Sequence, residues 1–162
     1  MALTLALDVG GTKIAVGLVD AAGTLTHRAQ QPTPHADADT VWEVAAHLIR
    51  DALDRAGGPV HGVGISSAGP VDLHSGTVSP INITGWQAFP IVERTRRLTG
   101  APLRLGGDGL CMALGEQWRG ARGGAQFLLG LWCSPGMRGG GVWRAAPAGV
   151  RGCQPRDRVA RV

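Results

Sequence analysis

Residues 3–20 read LTLALDVGGTKIAVGLVD, and the architecture follows from them. LTLALD (3–8) is an apolar, β-prone run ending in an acid, and KIAVGLVD (13–20) is a second such run. The Gly10-Gly11 step between them is a strong hairpin signal. Ala21-Ala22-Gly23 is another turn, and TLTHRAQQ (24–31) is a third, more polar strand. These residues predict an antiparallel meander with one edge toward solvent.

Beyond the meander, strands alternate with helices. PTPHADAD (32–39) breaks the strand run. Asp37 or Asp39 can cap the helix that follows, where Val41, Ala45, Leu48 and Ala52 share a face at helical spacing, with Val44, Ile49 and Leu53 beside them. Gly57-Gly58 ends it. VHGVGISS (60–67) is a short β-branched strand, expected to be buried on both faces. Residues 68–89 are rich in turn formers, and loops that long in compact domains are usually functional or disordered. PIVERTRRLTG (90–100) reads as a helix with Pro90 in its first turn, Ile91, Val92, Thr95 and Leu98 packing, and Gly100 as its stop. APLRLGGD (101–108) is another strand ending in an acid. GLCMALGEQWRG (109–120) is a helix with Leu110, Ala113, Leu114 and Trp118 on or near one face. AQFLLGLW (125–132) starts a strand, after which no pattern persists. The order β-β-β-α-β-α-β-α-β predicts an α/β domain with a mixed sheet and flanking helices, distinct from a plain doubly wound sheet.

The chain has 162 residues, 44% of them hydrophobic and 17% charged, which suits one packed domain and excludes a disordered chain. No apolar run approaches the roughly 18 residues that span a bilayer. The N-terminus has no basic stretch ahead of its apolar residues, so a secretory signal is not expected. Cys111, Cys133 and Cys153 form no CxxC or Cys/His ligand spacing, which suits a reducing, cytoplasmic setting. The five His are scattered without metal-ligand spacing. The net charge of +4 is uneven: residues 132–162 hold six Arg and one acid, so that tail carries +5 and the remainder −1. A basic tail can bind nucleic acid, but this one has no aromatic interleaving and no known module, so a solvated tail is the expected reading.

Three places could carry chemistry. At Asp8-Val9-Gly10-Gly11-Thr12-Lys13, glycines leave no Cβ to block an anion, and successive N–H groups can cradle one. Thr12 adds a hydroxyl, Lys13 is the only lysine in the chain, and Asp8 could hold Mg²⁺ directly or through water. The alternative is a plain hairpin turn with a solvated Lys13. At Gly106-Gly107-Asp108-Gly109, Asp108 is either a helix cap or a general base at the carboxyl end of a strand. In the long loop, Gly69, Pro70, Asp72, Asn82, Thr84, Gly85 and Trp86 include an amide suited to sugar hydroxyls and a Trp face that suits a pyranose ring, although packing is the commoner role for Trp.

Taken in order, these segments resemble the N-terminal lobe of the ROK family of sugar kinases (repressor, open reading frame, kinase), the bacterial glucokinases in particular. LALDVGGTKIAVGLVD is similar to the family's phosphate motif D-x-G-G-T-K, and GVGISSAGPVDLHSGTV to its G-I-x-x-P-G-P-V-D stretch. SPINITGW is similar to the sugar loop S-P-N-x-P-G-W, and LRLGGDGLCMALGE to V-x-x-x-N-D-x-N-x-A-A-L-G-E. The resemblance covers about residues 3–131 and implies an actin-like, ribonuclease-H-type fold. It further implies transfer of a phosphoryl group from ATP to a hexose hydroxyl, assisted by Mg²⁺. Asp8, Gly10, Gly11, Thr12 and Lys13 would then cradle phosphate, Gly69 and Asn82 would contact the sugar, and Asp108 would take the proton from the attacking hydroxyl. Gly107 and Leu110 stand where the family has Asn, and Thr84 where it has Pro.

The resemblance weakens from residue 132. Trp132-Cys133 stands where the family has Val-Val, and Trp143-Arg144-Ala145 where it has Val-Ala-Gly-Gly. GTG-GTG read one base late begins Trp-Cys, and GTG-GCG-GGC-GGC read one base late gives Trp-Arg-Ala. Residues 1–131 are therefore expected to be the kinase lobe, and 132–162 an irregular basic tail translated out of frame. The family's later sugar contacts, its Cys/His zinc motif and its adenine site have no recognisable counterpart in these residues. The expectation is a hexose kinase by descent with turnover impaired or lost. The alternative is a non-catalytic remnant that binds sugar or a partner. Apolar surface left exposed on a single lobe leaves a homodimer open.

Overall fold

A computed structural model of the chain describes residues 2–119, 128–132 and 141–145. Strand β1 (Leu3–Val9) alternates as its sequence dictates: Leu5, Leu7 and Val9 are buried, while Thr4, Ala6 and Asp8 are exposed. It pairs antiparallel with β2 (Lys13–Asp20), from Leu3↔Asp20 to Val9↔Ile14, and β2 pairs antiparallel with β3 (Leu25–Pro32). The meander is thus the one predicted, with a bulge between Leu18 and Val19 and the polar β3 at the edge.

Helix α1 (Ala38–Ala56) starts where Asp37 accepts hydrogen bonds from the amides of Asp39 and Thr40, at 3.0 and 2.9 Å. Of the two candidate caps, Asp37 takes the role, and such a cap is worth about 1 kcal/mol. Val41, Trp42, Ala45, Ala46, Leu48, Ile49 and Ala52 are buried, and Gly57 closes the helix at φ 66°, a conformation that favours glycine. Each large apolar side chain buried here contributes on the order of 1.5–3 kcal/mol.

Strand β4 (Gly62–Ser67) runs parallel to β1 and returns the chain to the sheet. Burial on both faces was expected; instead only Val63, Ile65 and Ser67 are buried, and Gly62, Gly64 and Ser66 are half-buried. The second face of β4 carries no large side chain, so it has little to bury.

The loop beyond β4 is ordered. It holds two strands the sequence pattern did not reveal, β5 (Val71–Asp72) and β6 (Thr77–Val78), paired antiparallel. Asp72 shapes their turn by accepting from the amides of His74 and Ser75, and Gly76 completes it at φ 70°. The Gly69–Pro70 peptide is cis. Val78 bridges to Phe89, and Phe89 stacks on Trp86 with ring centroids 4.1 Å apart. Trp86 is fully buried and donates its indole N–H to the Ala38 carbonyl at 3.1 Å. The Arg94 guanidinium lies 4.9 Å from the Phe89 ring centroid and pairs with Asp39 at 2.7 Å, tying the next helix to α1.

That helix, α2 (Ile91–Thr99), ends at Gly100 as predicted and leads into β7 (Leu103–Gly107), parallel to β4. The five strands lie in the order β3-β2-β1-β4-β7. The core cluster is built from residues 5–103 and includes the inward faces of β1, β2 and β4, the apolar face of α1 and the aromatic group of the loop.

Residues 1–108 form one unit and 109–162 a second. Helix α3 (Asp108–Arg119) begins at the boundary. Leu114 and Trp118, expected to pack, are 45% and 59% exposed. Strands β8 (Leu128–Trp132) and β9 (Gly141–Ala145) form an antiparallel hairpin. The sequence pattern gave β8 and missed β9. No helix among the described residues is long and apolar enough to cross a membrane.

Candidate functional site

The parallel pairing of β1, β4 and β7 fixes the site. Its register aligns Asp8 with Ser66 and Ser66 with Gly106, then Val9 with Ser67 and Ser67 with Gly107. Strands lie ~4.8 Å apart, so the Asp8 and Gly106 backbones are separated by about 10 Å. Asp8 and Asp108 therefore leave the same carboxyl edge of one sheet, and both are exposed. Such an edge is where open α/β sheets bind their ligands.

The turn after Asp8 is tight. The Gly10 amide donates to the Lys13 carbonyl at 3.0 Å, leaving Gly11 and Thr12 at the tip. Neither Gly10 nor Gly11 has a positive φ, so conformational freedom is not what the second glycine supplies. Space is: a Cβ on Gly11 would lie 2.5 Å from Asn82 Cβ and 2.8 Å from Asn82 Nδ2. The side of Gly11 that a Cβ would occupy faces the long loop. The candidate phosphate turn and the candidate sugar residue Asn82 are thus in direct contact.

A residue the sequence analysis passed over holds the turn in place. Thr33 is buried, donates its hydroxyl to the Gly10 carbonyl at 2.8 Å, and donates its amide to the Thr12 carbonyl at 3.1 Å. The only signal for it was a Thr-Pro step at the end of a strand. On the other side, a Cβ on Gly85 would meet the Ala38 amide nitrogen at 3.0 Å, so the loop carrying Asn82 presses against the start of α1. Turn, loop and helix entry form one braced structure.

Gly69 is exposed just past β4, whose exit is held by the Ala68 amide donating to the Val9 carbonyl at 3.0 Å. Thr12 and Lys13 are exposed at the turn. Trp86 is unavailable as a platform for a sugar ring because its faces are in the core. Hydrogen bonds from Ser75 and His74 hold the Asp72 carboxyl below its usual range, which suits a turn-forming role. Among the described residues, no group of three or more His, Cys, Asp or Glu could hold a metal ion. A single carboxylate such as Asp8 does fit Mg²⁺ that arrives with a nucleotide, since that ion keeps its phosphate and water ligands.

A mixed sheet of this order, with its helices and with acids on one carboxyl edge, is the actin-like ATPase fold. Residues 4–155 match the model of the ROK family, and the chain belongs to that family. It is 33% identical over 142 residues to a glucokinase of Streptomyces coelicolor, covering 86% of this chain and 43% of the relative. It is 31% identical over 141 residues to an N-acetyl-D-glucosamine kinase of Salmonella heidelberg, covering 86% and 46%. Among solved structures, the ROK hexokinase from Thermus thermophilus superposes with a TM-score of 0.75 at 37% identity, covering 86% of this chain and 46% of that one. The ROK glucokinase from Streptomyces griseus, in complex with glucose and AMPPNP, gives 0.74 at 32% identity, covering 87% and 44%. The chain spans less than half the length of these relatives.

Proposed function

We propose that this chain carries the hexose- and phosphate-facing part of a sugar kinase site, for transfer of a phosphoryl group from ATP to a hexose hydroxyl. The observation that carries the proposal is the contact between Gly11 and Asn82, which puts a glycine-rich turn beside an amide suited to sugar hydroxyls. The S. griseus glucokinase, solved in complex with glucose and AMPPNP, supports the same pair of ligands.

In this proposal Gly10 shapes the turn and puts no Cβ in the way of phosphate, its own amide being taken up by the Lys13 carbonyl, while the Gly11 backbone amide, the Thr12 hydroxyl and the Lys13 ammonium receive phosphate oxygens at the exposed turn. Asn82 and Gly69 contact the sugar. Asp108, on the same sheet edge, orients the attacking hydroxyl and accepts its proton. Mg²⁺, when bound with the nucleotide, would neutralise phosphate charge, and Asp8 would hold it.

Turnover by the 162-residue chain is proposed to be impaired. Gly107 and Leu110 replace two amides that the family motif places around the proposed base, and orientation of the reacting groups supplies much of such catalysis. Calorimetry with glucose and with MgATP tests the ligand assignment, and Asn82→Ala should lower glucose affinity selectively. Binding of neither ligand would overturn the proposal. A coupled assay tests turnover: glucose 6-phosphate formation below detection is expected, and robust formation would overturn the impairment.

A further inference from the structure

Beside Asn82 lies a cleft of about 210 Å³, lined by Pro34, His35, Ala36, Asn82, Ile83 and Thr84. We propose that His35 is a sugar-contacting residue that helps set hexose affinity at this site, an inference that rests on the kinase reading above.

The cleft is built between fixed walls. Thr33 anchors the strand end before His35 to the Gly10–Thr12 turn through two hydrogen bonds. Beyond it, the Trp86 indole holds the Ala38 carbonyl, and the close approach of Gly85 to Ala36 and Ala38 sets the opposite side. The backbone segments that carry His35, Asn82 and Thr84 are therefore braced against each other, which is the scaffold that recognition residues require.

The chemistry of the lining selects the ligand class. Its polar side chains are an imidazole, an amide and a hydroxyl, and it contains no carboxylate, Lys or Arg. Such a set exchanges hydrogen bonds with a neutral polyol. An anion is disfavoured, because the helix amides nearby, those of Asp39 and Thr40, already donate to the Asp37 carboxylate. Pro34 and Ala36 supply a small apolar surface for the C–H face of a ring, and Ile83 anchors that side of the cleft in the core. The volume is that of about seven waters, suited to one monosaccharide and below the ~300 Å³ of larger ligand sites.

The test is titration of the 162-residue chain with glucose and with N-acetylglucosamine, read by calorimetry and by the His35 imidazole resonances in NMR. The wild-type chain should bind at least one sugar, with the His35 signals moving along the same isotherm. His35→Ala should weaken that sugar about three- to tenfold, the range expected for one lost hydrogen bond, and leave MgATP affinity unchanged. His35→Gln, which keeps a donor and an acceptor, should recover part of the loss. If the wild-type chain binds sugar and Asn82→Ala weakens it, while His35 variants bind normally and its signals stay still, this inference is wrong and the kinase reading stands. If the wild-type chain binds neither sugar, this inference falls, and the kinase reading falls with it when MgATP is not bound either.

Discussion

Asn82 occupies the space that a side chain at position 11 would need: a Cβ added to Gly11 would sit 2.5 Å from Asn82 Cβ. Rotating Asn82 moves its amide but leaves its Cβ in place. Any larger residue at 11 must therefore move backbone, and the phosphate turn and the sugar loop cannot shift independently.

Gly11→Ala should destabilise the fold by about 1–3 kcal/mol, the usual range for overpacking. Asn82→Gly, which removes the opposing Cβ, should recover part of that loss, and Asn82→Ala should not. Urea unfolding of the single and double variants measures the coupling, expected above ~0.5 kcal/mol. Additive effects would show that the two residues are not in contact.

Trp86→Ala should cost about 3–5 kcal/mol, because the indole is fully buried against Phe89 and holds the Ala38 carbonyl. Thermal melting reads this directly. Unchanged stability together with lost sugar affinity would restore Trp86 to a ligand-stacking role.

Gly107 precedes the proposed base, and a Cβ there would meet nothing within 4 Å. Gly107→Asn should therefore be accommodated with a stability change within about 0.5 kcal/mol. By restoring an amide beside Asp108 it should raise hexose affinity severalfold in calorimetry. Equal affinity would mean that this amide has no part in sugar recognition.

Hydrogen bonds hold three carboxyls below their usual range: Asp37 through the Thr40 amide and hydroxyl, Asp51 through Arg55, and Asp72 through Ser75. The unfolded chain thus binds these protons more tightly than the folded one. Their stabilisation is complete above the unfolded value near 3.9 and drains away as pH falls through the lower folded values. Unfolding midpoints should be level in this respect from neutral pH to about 5 and drop below about 4. Asp37→Asn keeps a capping oxygen and should flatten part of that drop. An acid limb identical to wild type would remove Asp37 from the account.

The expected frame change after residue 131 is decided by nucleotides. Codons 132–145, read in the neighbouring frame, should encode a valine- and glycine-rich loop like the family's second phosphate loop. A locus with no such coding sequence in either other frame ends that idea.

The sheet was legible because its signals are local. Alternation in LTLALDV, a glycine pair before Lys13, Asp37 ahead of an apolar face, and Gly57 and Gly100 as stops each act within a few residues. What stayed hidden depends on distant partners. The missing Cβ of Gly11 makes room for Asn82, a neighbour supplied by a loop far along the chain. Thr33 gains meaning only from the carbonyls of Gly10 and Thr12. Strands β5 and β6 have two residues each, too few to show a period, although Asp72 and Gly76 marked their turn. The role of Trp86 was open until Phe89 and Ala38 closed around it.

The two kinds of pairing made by β1 set an order of assembly. Its antiparallel partner follows at once in the chain, whereas its parallel partner, reached at Leu5↔Val63, must wait until α1 has emerged. Contacts that close short loops form sooner than those that close long ones. On the ribosome the meander can zip while β4 is still unmade, so the acid-bearing rim assembles last. Nascent chains long enough to carry β3, but not β4, clear of the ribosome should already protect the amides of β2, and only longer ones those of β4.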